Sequence, residues 1–304
     1  MKSFQEIKKA VLSTNEQRYI AVAVAQDEEV LKAVKGAQDL GLARPILVGD
    51  EKEIQLAAQK AGLDLKGIAI EHEPLADRAA KKAVALVSSG RANIVMKGLV
   101  GTATFLKAVL DKEVGLRTDK ILSHVAVFEI PGFDRLLILT DAAINIAPAL
   151  QDKVKIINNA LIVTKAFGIE TAKVAPVCAV ETVNPDMPAT MDAAALSIMA
   201  ERGQIQGAII DGPLALDNAV SGEAAEHKNI HSPVAGKADI LLCPDIEAGN
   251  MTYKALVYLG QGEVAGVIAG AAAPIVLTSR ADTYISKLNS IALSLLTCKT
   301  CLRG

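Results

Sequence analysis

Short, continuously apolar segments alternate with longer segments of helical periodicity along most of the chain. The first kind includes YIAVAVA, PILVG, NIVMKG, HVAVFEI and PIVLTS, and the second includes DEEVLKAVKGAQDLGL and PLADRAAKKAVALVSSG. In the longer segments, apolar residues recur at spacings of three and four, with charged residues on the opposite face. Apolar strands separated by helices are typical of a mostly parallel sheet covered by helices on both sides. We therefore predict an α/β fold.

Polar residues follow many of these predicted strands. The strand ends read MKG, TD, DGP, CPD and TSR, which places Lys97, Asp141, Asp211, Asp245 and Ser279 at these positions. Ligands of parallel α/β sheets bind at the carboxyl ends of the strands. The polar residues that follow the strands are therefore the first candidates for chemistry.

The segment TSRADTYISKL, residues 278–288, combines a strand end with a predicted helix that Asp282 opens. Free backbone N–H groups at a helix start favour an anion, and the Arg280 guanidinium matches phosphate oxygens. Ser, Thr and Asp are also the commonest residues at helix starts. A phosphate site and a plain helix cap with a solvated arginine both fit this stretch.

A glycine-rich turn, GLVGTATFLKAVL, follows Lys97 and leads into another predicted helix. Glycine permits close backbone approach, the hydroxyls of Thr102 and Thr104 donate hydrogen bonds, and Lys107 adds a positive charge, as a phosphate cradle requires. A helix cap with a surface lysine explains the segment equally well. The spacings of a P-loop and of a dinucleotide-binding glycine motif are both missing.

Composition excludes several classes of function. The 304 residues are 51% hydrophobic with a net charge of -2, which predicts two lobes and no clustered basic surface for nucleic acid. The N-terminal residues lack the apolar core of a secretory leader, so we expect a cytoplasmic protein. Residues 264–279 are the least charged stretch, but glycine and proline interrupt it and a membrane span needs about 20 apolar residues.

Cysteine and histidine positions do not indicate a metal site. Cys178 and Cys243 lie in apolar runs, which predicts buried free thiols in a reducing compartment. A single C-x-x-C, Cys298 and Cys301, lies near the C-terminus, where we expect a frayed tail. No histidine pair has a ligand spacing that favours metal, so no metal is expected; the histidines are His72, His124, His227 and His231.

Four segments together resemble the phosphate acetyltransferase and phosphate butyryltransferase family. They are HSPVAGKADILLCPDIEAGNMTYKAL, LILTDAAINIAP, IIDGPLALDNAV and the TSRAD strand end, and the resemblance runs from about residue 15 to residue 296. It implies two α/β lobes like those of isocitrate and isopropylmalate dehydrogenases, with an active site in the cleft between them. The first lobe would comprise residues 1–142 and 271–304, and the second residues 143–270.

The resemblance also assigns residues. The catalytic serine and arginine of the family correspond to Ser279 and Arg280, and Lys107 corresponds to a second cation that is normally arginine. The remaining substrate-binding candidates in the matching segments are Asp141, Asn145, Asp245, Asn250 and Lys254, and the glycine-rich turn adds Thr102 and Thr104.

One family residue is missing. In acetyl-transferring members, an aspartate seven residues after the serine is proposed as the base, whereas this chain has Ser286 there. Asp282 is the candidate substitute, although a helix cap uses its lone pairs for backbone N–H groups. Together, S-R-A-D and Lys107 place the chain nearer the butyryl-transferring branch.

The implied reaction is reversible transfer of a short acyl group, butyryl or branched with four or five carbons, between coenzyme A and phosphate. Acyl-CoA, phosphate and acyl phosphate would be the substrates, with no cofactor and no membrane or nucleic-acid partner, and the protein would be a homodimer or higher homo-oligomer. A phosphate acetyltransferase is the alternative.

Two other classes share parts of this pattern. A metal-dependent hydroxyacid dehydrogenase of similar fold needs carboxylates one helical turn apart, and the spacing of Asp211 and Asp217 is wrong for that. A non-enzymatic small-anion binding protein would require export, which the N-terminal residues do not indicate.

Overall fold

A computed structural model describes residues 1–14, 16–279 and 281–301, and it confirms the α/β class. The described strands are β1 Tyr19–Ala23, β2 Arg44–Gly49, β3 Ala69–His72, β4 Ile94–Lys97, β5 Ser123–Glu129, β6 Leu137–Thr140, β7 Ala172–Pro176, β8 Ala208–Ile210, β9 Ile240–Leu242, β10 Glu263–Ala269 and β11 Ile275–Val276. The described helices are α1 Phe4–Leu12, α2 Glu28–Asp39, α3 Glu51–Ala61, α4 Ala76–Ser88, α5 Thr102–Val109, α6 Leu150–Ala166, α7 Pro188–Glu201, α8 Leu216–Val220, α9 Gly222–His227, α10 Ile246–Tyr258 and α11 Tyr284–Cys301.

The chain divides into two compact units. The N-terminal unit comprises Ser3–Lys120 and Val264–Gly304, and the central unit comprises Ile121–Glu263 with Met1–Lys2. The expected lobe boundaries, after residues 142 and 270, lie at residues 120 and 263 in this division. The reason is strand pairing, because β5 pairs with β6, and β6 continues into the sheet of the central unit through β9.

Parallel strands dominate the sheet of the N-terminal unit. Their order is β3-β2-β1-β4-β11, all parallel, with β10 antiparallel to β11. These two strands and the segment that joins them account for most of residues 264–279, the least charged stretch of the sequence. In the register, Val276 of β11 lies opposite Met96 of β4, so the chain leaves both strands at the same edge of the sheet. This edge carries the glycine-rich turn and the serine segment.

Local sequence signals explain where the surrounding helices begin. The Asp27 side chain accepts a hydrogen bond from the Val30 amide at the start of α2, and Asp50 does the same for two amides of α3. Helix α11 packs against α1 and α2 and buries Ile291, Leu293 and Leu295 completely. A helix that is apolar on several faces forms the core of a unit.

The expectation of a frayed C-terminal tail is wrong at Cys298. Helix α11 continues to Cys301, and Cys298 is only 8% exposed, with its Sγ 3.6 Å from the Asn93 carbonyl oxygen. The apolar residues Leu295 and Leu296 continue the buried face of the helix into its last turns, which holds this region against the unit.

The central unit contains a smaller mixed sheet. Its order is β5-β6-β9-β7-β8, in which β5 and β6 are antiparallel and the other pairs are parallel. Thr140 and Pro176 both lie opposite Leu242, so the polar residues that follow β6, β7 and β9 share one edge. Within the described residues, no helix has the combined length and apolar content that crossing a bilayer requires.

Candidate active site

A tight turn joins β4 to α5 in the N-terminal unit. The Gly98 amide donates to the Ala23 carbonyl oxygen at 2.8 Å, and a Cβ atom built on Gly98 would lie 2.6 Å from that oxygen. Only glycine therefore fits at this position. Lys97 is buried at the strand end, and its Nζ donates to the Val100 carbonyl oxygen at 3.2 Å. The close approach at Gly98 is to the end of β1, and Lys97 stabilises the turn; the approach of this turn to phosphate stays a prediction.

Helix α5 begins at Thr102, and its N-cap residue Gly101 provides no side-chain cap. The first amides of a helix lack partners within the helix, and they attract anions when no side chain covers them. Thr104 and Lys107 are three residues apart and share one face, on which Lys107 is exposed. The predicted group of hydroxyls and a cation therefore lies along one short helix, with its uncapped start beside the sheet edge.

The segment after β11 forms a closed loop. The Ser279 amide donates to Asp282 Oδ2 at 2.7 Å, and the Asp282 amide donates to the Ser279 carbonyl oxygen at 3.2 Å. Ser279 Oγ accepts from the Ala281 amide at 3.3 Å and is exposed. The loop thus presents the serine hydroxyl at the strand edge. Arg280 lies outside the described residues, and its predicted role stays a prediction.

Asp282 does not open a helix, so the predicted cap is wrong. Helix α11 begins at Tyr284, and the capping side chain is Thr283, whose Oγ1 accepts from the Ser286 amide at 3.2 Å. Both residue types are good caps, but the Asp282 carboxylate is drawn to the Ser279 amide instead. The carboxylate is half-buried beside Ser279.

Lys287, in the first turn of α11, contacts this loop and was missed by sequence reasoning. It is 3% exposed, and its Nζ donates to the carbonyl oxygens of Ser279, at 3.2 Å, and Asp282. Its position in the sequence could have indicated that it is buried. Lys287, Ile291 and Ser294 follow each other at spacings of four and three on a buried helix face. A lysine on such a face requires an explanation.

The central unit has a second closed loop after β6. The buried Asp141 carboxylate accepts from the amides of Ala143, Ile144 and Asn145 at 2.8–3.2 Å, and from Asn145 Nδ2 at 2.6 Å. Asn145 Nδ2 also donates to the Leu122 carbonyl oxygen at 2.9 Å. These bonds occupy both carboxylate oxygens. Asp141 therefore stabilises the conformation of the loop formed by residues 142–145.

Helix α10 packs closely on that loop. It begins at Ile246, three residues before Gly249, with Asp245 as its cap. A Cβ atom on Gly249 would lie 3.0 Å from the Ala142 Cα, and Asn250 Nδ2 donates to the Ala142 carbonyl oxygen at 3.2 Å. Asp245 was missed as the cap because the helix follows its strand almost directly.

The structure therefore brings some of the candidate residues of the central unit together and leaves others apart. Asp141, Asn145 and Asn250 converge on one loop, whereas Asp245 caps the helix below them. Lys254 is exposed one turn after Asn250, on the same face of α10. Tyr253, three residues after Asn250, packs edge-on against Phe128, with ring centroids 5.4 Å apart.

Three ion pairs of the central unit were also missed. Lys228 contacts Glu181 at 2.6 Å and Asp217 at 2.9 Å, and these contacts lower the pKa of both carboxyl groups. Lys153 is buried and pairs with Asp192 at 2.6 Å. The partners come from separate elements, so no local spacing reveals them.

The buried thiols of the central unit are poor nucleophiles. Burial raises the pKa of Cys178 to about 11 and that of Cys243 to about 12. Both groups are therefore protonated at neutral pH, and the prediction that they are buried free cysteines is confirmed. Across the part of the chain that the structure describes, no three His, Cys, Asp or Glu side chains are grouped to hold a metal ion.

Comparison with known proteins identifies relatives along nearly the whole chain. The family described as Phosphate acetyl/butaryl transferase matches residues 3–79 and 68–295. A phosphate butyryltransferase from Clostridium acetobutylicum is 57% identical over 296 residues, which are 97% of this chain and 98% of the relative. A phosphate acetyltransferase from Thermotoga maritima is 48% identical over 275 residues, 90% of this chain and 93% of the relative.

Solved structures agree with these sequence matches. A branched-chain phosphotransacylase from Enterococcus faecalis V583 is 34% identical, with a TM-score of 0.83 over 93% of this chain and 99% of that chain. A 4-hydroxythreonine-4-phosphate dehydrogenase from Klebsiella pneumoniae has a TM-score of 0.59 at 14% identity, over 93% of this chain and 100% of that chain. The second likeness concerns the fold alone, and it confirms the predicted dehydrogenase-like architecture.

Proposed function

This chain belongs to the Phosphate acetyl/butaryl transferase family, and we propose that it is a phosphate acyltransferase that moves a short acyl group reversibly between coenzyme A and inorganic phosphate. The observation that carries the proposal is the 57% identity to a phosphate butyryltransferase over 98% of that relative's length. The uncapped start of α5 and the Ser279 loop, which lie at the same sheet edge, support it.

The reaction sets three requirements. The coenzyme A thiolate attacks the acyl carbon of an acyl phosphate, the carbon–oxygen bond to phosphate breaks, and phosphate leaves. A base takes the thiol proton, and cations stabilise the charge on the phosphate oxygens. The two substrates are also held in line for attack. Side chains of this chain could meet all three requirements, and we propose that the coenzyme A thioester is a substrate and that no cofactor takes part.

Residues of the N-terminal unit suit the phosphate role. Arg280 would bind phosphate oxygens through its two parallel N–H groups, and Lys107 would add a second charge. The exposed hydroxyl of Ser279 would donate to a phosphate oxygen or orient the thiol. The hydroxyls of Thr102 and Thr104 would complete the cradle at the start of α5.

Asp282 is the proposed base. Its carboxylate is held beside the Ser279 backbone by the 2.7 Å hydrogen bond that Oδ2 accepts from the Ser279 amide. The carboxylate accepts no hydrogen bond as the cap of α11, because the Thr283 hydroxyl caps that helix instead. This supports the role of Asp282 as the base.

The central unit would contribute to coenzyme A binding. The loop that Asp141 organises presents Asn145, and Asn250 and Lys254 lie on one face of α10. Lys254 is exposed and would attract the phosphate groups of coenzyme A. Asp245 would act indirectly, by capping the helix that carries them.

We further propose a homodimer in the cytoplasm. Met251, Tyr258 and Leu259 of α10 are 72%, 65% and 84% exposed, and Ala255 between them is exposed as well. Apolar residues at spacings of four and three form a continuous stripe on one helix face. Such a stripe is typical of an interface. Light scattering on Met251→Glu and on the parent tests this, because the variant should have half the mass of the parent.

The acyl group is proposed to be butyryl or a branched chain of four or five carbons. The test is phosphate-dependent release of thiol from acetyl-, propionyl-, butyryl-, isobutyryl- and isovaleryl-CoA. We expect the highest kcat/KM with a four- or five-carbon acyl group. A phosphate acetyltransferase is the second candidate function, and the 48% identity to such an enzyme supports it. The highest kcat/KM with acetyl-CoA would establish that candidate.

A further inference from the structure

Lys287 occupies a position that neither burial nor helix stability favours. It is 3% exposed, and burying an ammonium group costs free energy unless it gains partners of matching strength. It also lies in the first turn of α11, which begins at Tyr284. A positive charge there opposes the positive end of the helix dipole. Lys287 therefore has a role other than stabilising its own helix.

The contacts of the ammonium group show what it holds. Nζ donates to the carbonyl oxygens of Ser279 and Asp282, eight and five residues earlier in the chain. These two residues are also joined to each other through the Ser279 amide and the Asp282 carboxylate. The ammonium group and the carboxylate thus fix the same short loop through different atoms.

A second helix takes part in the same arrangement. The pKa of Glu29, in the first turn of α2, is lowered by its hydrogen bond with Lys32 and further by the charge of Lys287 and the Tyr284 amide. The Glu29 carboxylate therefore offsets part of the buried positive charge. The loop itself is anchored to α11 by the hydrogen bonds of Lys287.

We propose that Lys287 is a positioning residue for acyl transfer, which holds Ser279 and Asp282 in the positions in which they meet the phosphate. The inference rests on the proposed function, because it assumes that this loop meets the phosphate. Lys287 itself contacts the backbone of the loop and not the substrate. Its loss should therefore misplace the Ser279 hydroxyl and the Asp282 carboxylate together.

The test replaces Lys287 with methionine, which keeps the apolar length of the side chain and removes the charge. We expect Lys287→Met to remain folded, with kcat/KM for phosphate about 10²-fold lower, the effect of misplacing groups by about 1 Å. KM for butyryl-CoA should change less than KM for phosphate. Lys287→Arg should recover part of the loss, and Lys35→Met, at an exposed lysine of α2, should leave the kinetics unchanged.

Hydrogen–deuterium exchange gives a second readout that does not depend on activity. The amides of Ser279 and Asp282 are both hydrogen-bonded within the loop, so they should exchange about tenfold faster in Lys287→Met, the change that loss of a charge-assisted hydrogen bond implies. If the methionine variant does not fold, Lys287→Arg is measured instead, with about tenfold lower kcat/KM for phosphate expected from its displaced donors.

The outcomes separate this inference from the proposed function. A parent protein that releases no thiol in the presence of phosphate shows that the proposed function is wrong, and the inference with it. If the parent is active and the folded Lys287→Met variant has the same kinetics and the same amide exchange as the parent, the role of Lys287 is wrong and the proposed function stands. Faster exchange with a selective rise in KM for phosphate supports it.

Discussion

The backbone amide of Ser279 donates a hydrogen bond to the Asp282 carboxylate at 2.7 Å. This bond holds a negative charge beside an exposed serine hydroxyl at the carboxyl edge of a parallel sheet. The carboxylate does not cap α11, because the Thr283 hydroxyl accepts from the Ser286 amide of that helix instead. We propose that Asp282 is the base in place of the family aspartate, whose position Ser286 occupies in this chain.

Substitution of Asp282 separates a base from a loop-building residue. Asp282→Asn keeps an oxygen for the Ser279 amide but cannot take a proton, whereas Asp282→Ala loses both properties. If Asp282 is the base, both variants should lower kcat by about 10²–10⁴-fold. Steady-state kinetics with butyryl-CoA and phosphate, with a melting curve on each variant, measures this. Near-parent turnover of Asp282→Asn, with a slow Asp282→Ala, would show that the carboxylate only shapes the loop.

Lys107 tests the phosphate cradle on α5. Lys107→Ala should raise KM for phosphate about tenfold, the effect of losing one charge-assisted contact, with a smaller change in KM for acyl-CoA. Lys107→Arg should retain most of the activity because it keeps the charge. Lys112→Ala, at an exposed lysine just beyond the helix, is the matched control. If the Lys107→Ala and Lys112→Ala variants have the same KM for phosphate, Lys107 is an ordinary surface residue.

Gly249 tests the packing of α10 on the Asp141 loop. A Cβ atom there would collide with the Asp141 carbonyl oxygen and lie 3.0 Å from the Ala142 Cα, and neither backbone atom can move without opening the loop. Gly249→Ala should lower the free energy of unfolding by about 1–3 kcal/mol and reduce acyl transfer. Urea titration measures the first effect.

The control for Gly249 is Gly222→Ala, because a Cβ atom at Gly222 has no neighbour within 4 Å. It should leave both stability and turnover unchanged. Gly249→Ala with the stability and turnover of this control would mean that the loop tolerates the displacement and that its close packing does not matter.

Asp111 provides a pH-dependent test of surface electrostatics. The hydrogen bond with Lys81, and then those from the amides of Glu113 and Val114, lower its pKa from the ordinary 3.8 to about 2. A lowered carboxyl pKa stabilises the fold above pH 3.8, and this contribution is lost as the pH falls towards 2. Lys81→Met should raise the pKa of Asp111 but leave it below 3.8, because the two amides remain. Carbon-13 NMR titration measures it.

Lys82→Met is the matched control for this titration, since Lys82 pairs with Glu71 instead. It should leave the pKa of Asp111 near 2. A pKa of Asp111 that is unaffected by loss of Lys81 would assign the whole shift to the backbone amides.

Hydrophobic periodicity predicted the fold class because buried strands and amphipathic helices impose it along the whole chain. It also placed Lys97, Asp141 and Ser279 correctly at strand ends. Helix starts were less predictable, since Asp282 and Thr283 are both good caps and a tertiary contact of the carboxylate decided between them.

Long-range contacts set the limit of prediction at the candidate site. The buried Lys287 depends on carbonyl oxygens five and eight residues away, and no propensity describes such a contact. The self-contained hydrogen bonding of Asp141 likewise could not be inferred from a strand end that reads TD. The proposed reaction is inferred from sequence identity to relatives and not from the hydrophobic pattern.

The measurement that tests the central claim most directly is phosphorus-31 NMR of the parent protein with butyryl-CoA and inorganic phosphate. The account predicts that a butyryl phosphate signal grows as the phosphate signal falls, with one free thiol released for each acyl phosphate formed. Adding coenzyme A to isolated butyryl phosphate should reverse the change. Thiol release without an acyl phosphate signal, or no reaction in either direction, would contradict acyl transfer to phosphate.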